Sequence, residues 1–134
     1  MKRDLKSDFD TAILYVPSIF GTTGTGSAVD LKGYDSCMVV FSAGSLGAAG
    51  TSIVPTLLES ADGTTFGTVG TASLQGTFTV TGTGVASYNY RVGYIGTGRY
   101  IKPVLTGIGG TGAATGQMVS MVAIRGHAAR KPLA

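Results

Sequence analysis

At 134 residues, with only 13% charged side chains and Gly at 22 positions, the chain is too short for two ordinary domains and too poor in charge for a disordered segment. The net charge of +3 hides an uneven distribution: residues 1–62 carry four basic and seven acidic side chains, and residues 63–134 carry six basic and no acidic ones. Those six (Arg91, Arg99, Lys102, Arg125, Arg130 and Lys131) form no dense run, so direct nucleic-acid binding is not expected and a solvated or protein-facing basic edge is.

Residues 1–11 read as an N-terminal arm, mostly charged, in which Leu5 and Phe9 are the only large apolar groups. Their spacing of four puts them on one face of a helical turn, as anchors that order against a partner. No apolar run follows the opening charges, and no stretch of about 18 apolar residues occurs anywhere, so neither a conventional signal peptide nor a membrane helix is expected. The reading is of a protein made and assembled in cytoplasm.

Residues 12–126 read as one β-sandwich domain. Strand-like runs occur near residues 12–16, 27–31, 37–43, 52–59, 64–69, 73–81, 85–95, 99–106 and 117–125, rich in Val, Ile, Thr, Tyr and Phe and separated by Gly-rich turns. That pattern predicts an all-β antiparallel sandwich or small barrel. Cys37, among Met38, Val39, Val40 and Phe41, reads as a buried thiol without a disulfide partner.

Three segments of almost wholly small residues, 21–26, 42–50 and 107–116, read as loops. Pro55 and Pro103 fall inside strand-like runs and predict edge positions or bulges, since neither can donate to a sheet ladder. Asp62-Gly63 predicts a turn in which the carboxylate bonds its own backbone and glycine takes positive φ.

Residues 88–106 read as a β-hairpin. Tyr88, Tyr90, Val92 and Tyr94 alternate with Asn89, Arg91, Gly93 and Ile95, and Gly96-Thr97-Gly98 supplies the loop. The tyrosine stripe fits a core or subunit interface better than a stacking platform. Residues 127–134 form a short basic tail.

No catalytic constellation is apparent. The single histidine, His127, lies at the start of the tail, and one Cys with one His cannot supply a usual metal-ligand set, so no metal, cofactor or catalytic residues are expected. Asp30 and Asp35 flank a turn, and the glycine pattern at 21–26 contains no Lys.

The run Tyr90 to Leu105, YRVGYIGTGRYIKPVL, followed by VSMVAIRGH at Val119 to His127 and a basic tail, resembles small structural proteins from the head-gene region of tailed bacteriophages. LESADGTTF at Leu58 to Phe66 fits the same pattern. Within that group the chain is most similar to capsid cement, or decoration, proteins. The resemblance implies a jelly-roll-like sandwich, a homodimer or homotrimer, and a non-enzymatic role on the capsid exterior, bridging subunits of the major capsid protein. Leu5, Phe9, Arg125, Arg130 and Lys131 are the candidate interface residues. A phage tail or neck component, a carbohydrate-binding sandwich and a hydrolase with a carboxylate pair stand as alternatives.

Overall fold

Strand after strand in this chain alternates between buried and half-exposed side chains, and the two sheets that result face each other across their buried sides. The computed structural model describes residues 4–19, 23–44, 52–78, 88–108 and 118–129. The strands are β1 (Phe9–Ile19), β2 (Thr23–Thr25), β3 (Val29–Asp30), β4 (Tyr34–Ala43), β5 (Ser52–Ser60), β6 (Gly67–Thr68), β7 (Leu74–Gln75), β8 (Tyr88–Tyr94), β9 (Tyr100–Ile108) and β10 (Met118–Ala128). The first sheet runs β1-β10-β4-β8-β7 and the second β2-β9-β5-β6, with β3 beside β9. All pairings are antiparallel, so the expected all-β sandwich is present.

Period-two alternation sends Cys37, Val39, Phe41 and Ala43 of β4, and Val119, Met121 and Ala123 of β10, into the core. Ile53 and Leu57 of β5 and Ile101 and Leu105 of β9 meet them from the second sheet. Cys37 is buried as expected, and burial pushes its thiol up to about 11.

One expectation is corrected. Residues 88–106 are not a hairpin: β8 belongs to the first sheet and β9 to the second. Gly96-Thr97-Gly98 therefore crosses between sheets, and among the described glycines only Gly33, Gly63 and Gly76 take positive φ. Period-two alternation in consecutive strands reports the buried face of each. It does not report whether they pair with one another.

The prolines sit where their missing N–H is harmless. Pro103 O accepts from Gly26 N at 2.9 Å, so the backbone of Pro103 points away from β5. It faces the break between β2, which reaches Val104, and β3, which begins opposite Ile101. Pro55 lies on the side of β5 that two-residue β6, paired only at Leu58 and Glu59, leaves open.

Two boundaries differ from the sequence reading. β1 begins at Phe9, so residues 9–11 of the expected arm are strand, paired Phe9↔Gly126, Asp10↔Arg125 and Thr11↔Ile124. β10 runs on through His127 and Ala128 of the expected tail. The sequence also passed over β2, within the glycine-rich 21–26 segment. Gly24 is required there because the Tyr15 ring lies where its Cβ would stand.

Candidate functional site

Three features gather the polar and exposed side chains that chemistry or recognition could use. The first is an ionic cluster at one end of the sandwich. Arg125 projects from β10, pairs with Asp10 of β1, and donates through Nη1 to the Asp30 carbonyl of β3 at 2.8 Å. Its guanidinium lies 4.6 Å from the Tyr34 ring centroid, and the Tyr34 hydroxyl donates to Asp10 at 3.0 Å. Beside it, Arg99 grips Asp30 with two bonds of 3.0 and 2.7 Å.

Burial works to raise the pKa of Asp10, but the Tyr34 hydroxyl and the Arg125 guanidinium outweigh it and hold the carboxyl below its ordinary value. The bonds from Arg99 hold Asp30 down to about 2. Every charge here has an opposite neighbour. The cluster joins strands, and next to it the Ser36 hydroxyl and His127 Nδ1 share a hydrogen bond of 2.8 Å.

The second feature is the crossing loop 95–98, fixed by buried Tyr94. Its hydroxyl donates to Glu59 and accepts from Gly98 N at 2.8 Å. A Cβ on Gly98 would stand 2.7 Å from that hydroxyl, so glycine is needed there for close approach. A recess of about 530 Å3 opens beside the loop, with Tyr34, Asp35, Tyr94 and Arg99 on its walls. The tyrosines in and beside it are already engaged. Tyr94 is buried, the Tyr34 ring lies under Arg125 and the Tyr100 ring under Arg99 at 4.8 Å.

The third feature is the outer face of the first sheet. Residues of opposite parity to the core set point outwards there: Ile13 on β1, Val122 and Ile124 on β10, and Met38 and Val40 on β4. In register, Ile13, Val122, Val40 and Arg91 form one row across four strands; Thr11, Ile124, Met38 and Gly93 form the next; Phe9, Gly126 and Ser36 the third. Ile13 is 54% exposed and Phe9 41%. A shallow groove of about 480 Å3 crosses the second and third rows, floored at Gly93 and Gly126 and flanked by Phe9, Ser36, Met38 and Ile124. Gly126 leaves room for Phe9, whose ring carbon a Cβ would meet at 2.9 Å.

The predicted interface residues are scattered across these features. Leu5, 65% exposed, sits on a turn closed by bonds from the Asp8 and Phe9 amides to its carbonyl. That turn keeps the helical spacing read from the sequence, and it delivers Phe9 to the outer face. Arg125 belongs to the ionic cluster, not to a free basic tail. Arg130 and Lys131 lie outside the described residues.

The outer-face set of Ile13, Met38, Val40, Val122 and Ile124 was not among the expected interface residues. A signal was present: Cys37–Phe41 and Met121–Ile124 are unbroken apolar runs, and a strand apolar at every position is apolar on both faces.

Among the described residues, no group of three or more His, Cys, Asp or Glu side chains could hold a metal ion, and no helix is long and apolar enough to cross a membrane. No protein-family model, curated protein or solved structure matches the chain. The outer sheet face carries the exposed apolar side chains Phe9 and Ile13 together with the half-buried Met38, Val40, Val122 and Ile124.

Proposed function

We propose that this chain is a non-enzymatic virion structural protein that binds the outside of a bacteriophage capsid and bridges subunits of the major capsid protein. The observation that carries the structural reading is the broad outer face of the first sheet, largely apolar over a core already complete on its other side, a surface for joining proteins within an assembly. A face of that kind serves protein contact, not turnover of a small substrate.

Strand order adds support. With the short β3 and β7 set aside, β1 pairs β10, β2 pairs β9, β4 pairs β8 and β5 pairs β6. Among the described strands this is the order of one long antiparallel hairpin, tipped at residues 61–66 and rolled into two sheets, and it supports reading the sandwich as a jelly roll. The fold supports the reading without determining it, because jelly rolls serve several functions. The resemblance of residues 90–105 and 119–127 to phage cement proteins supplies the rest. Bridging through several sites lets individually weak contacts hold a shell against the outward pressure of packaged DNA.

The test is reconstitution on purified phage heads lacking the protein, followed by image reconstruction and by heating to DNA release. Added protein is expected as density on the outer shell between capsid subunits, with release moved to higher temperature. Density confined to the neck or tail would support the tail-component alternative, and no binding at all would overturn the proposal.

A further inference from the structure

We infer that a second copy of this chain covers the outer face of the first sheet, forming a two-fold dimer in which each copy's aliphatic ridge seats in the other's groove. The inference rests on the structural role proposed above and gives this face to self-association, leaving the chain ends for the capsid.

The face is nearly neutral. Among its described outward residues, from Phe9, Thr11 and Ile13 across to Asn89, Arg91 and Gly93, there is no carboxylate, and Arg91 is the single charge. A strongly charged partner finds nothing there to pair with. An identical apolar face does, and Arg91, on β8 near the sheet's margin, keeps its head in the wet rim.

The relief is self-complementary. The row Ile13, Val122, Val40 stands beside the groove floored by Gly93 and Gly126. A two-fold axis lying in the interface along the second row exchanges ridge for groove. Val122 of one copy then meets Gly126 of the other, Val40 meets Ser36 and Ile13 meets Phe9. The same axis leaves the strands of the two sheets nearly aligned, which is the usual sheet-on-sheet packing.

The size suits a small interface. Three inter-strand steps and the eleven residues of β1 and β10 give a plan of roughly 14 by 35 Å, about 500 Å2. Side chains standing on that plan present more than its flat area, which approaches the roughly 800 Å2 per partner of a standard interface.

Sedimentation of the purified full chain tests this with no phage heads present. The parent is expected to sediment as a dimer at about 200 µM, and Val122→Glu and Val40→Glu, made separately, to weaken association on the order of 100-fold or more while circular dichroism stays unchanged. Thr56→Glu, on the second sheet, is the control that leaves the dimer intact. A monomeric parent, or glutamate variants that associate as tightly as the parent, would overturn the inference; if one glutamate variant fails to fold, the other decides. Failure of the capsid role reads differently, as a dimer that does not bind heads, whereas a monomer that decorates heads sinks only the dimer.

Discussion

Arg125 and Asp10, 115 positions apart, form an ion pair that ties the last described strand to the first at the mouth of the sandwich. The Arg125 side chain is only 17% exposed, so removing its partner strands a charge in a poorly solvated place. Asp10→Ala is expected to destabilise the fold by about 2 kcal/mol, read as a lower urea midpoint at unchanged slope. Asp10→Asn, which keeps an acceptor for Tyr34 and Arg125, recovers part of that loss.

Acid weakens the fold in a defined window. Asp30 and Asp62 are both held down to about 2, Asp30 first by Arg99 and Asp62 first by the backbone amides of Thr64 and Thr65 at 2.8 and 2.9 Å. In the unfolded chain each titrates near 3.8, so between these values the unfolded state binds more protons and stability rises with pH. Urea midpoints are expected to be flat above about pH 5 and to fall steadily towards pH 2. Both carboxylates are exposed, so solvent screening keeps the change modest. Asp62→Asn flattens part of the slope.

Tyr94→Phe removes a buried hydroxyl that serves both Glu59 and the Gly98 amide. Two groups lose their partner at once, so the variant is expected to lose about 1–3 kcal/mol in urea titration. Gly98→Ala, which forces a Cβ against the same hydroxyl, is expected to be destabilised as well while leaving the outer sheet face unchanged. A phenylalanine variant as stable as the parent would show that this junction is set by the glycines alone.

Truncation separates the turn from the strand. Removing residues 1–8 takes away exposed Leu5 but leaves β1 whole, so the melting temperature is expected to hold while attachment to heads weakens. Removing residues 1–14 also deletes Leu14, which is fully buried, and the Asp10 ion pair. That chain is expected to fail to fold, measured by loss of the cooperative melt.

Much of the sandwich was legible because alternation reports burial directly. Cys37 to Ala43 and Val119 to Ala123 declare their inward residues without any tertiary information, and Asp62-Gly63 declared its turn. Pairing was not legible. Nothing in residues 88–106 says that β9 seeks β5 while β8 seeks β4, since that choice is made by strands far away in sequence.

The candidate face was half visible. Leu5 and Phe9 were read as anchors of an arm, and both are exposed, with Phe9 already in β1, whereas the pairing of Arg125 was not read because its partner Asp10 is remote in sequence. Met38, Val40, Val122 and Ile124 were hidden by success: once one parity of a strand accounts for the core, the other escapes notice.

The pairing of β1 with β10 also sets a timetable for synthesis. Phe9 has no partner until Gly126 has been made, so a nascent chain carries β1 as an orphan strand until β10 follows it. Closing so long a loop is slow. During that interval Ile13 and Val16, 54% and 61% exposed even in the finished fold, are open to any other unpaired strand. The charged residues just ahead of them, Asp4 to Asp10, therefore act as gatekeepers for the unfinished chain as well as anchors of the finished one.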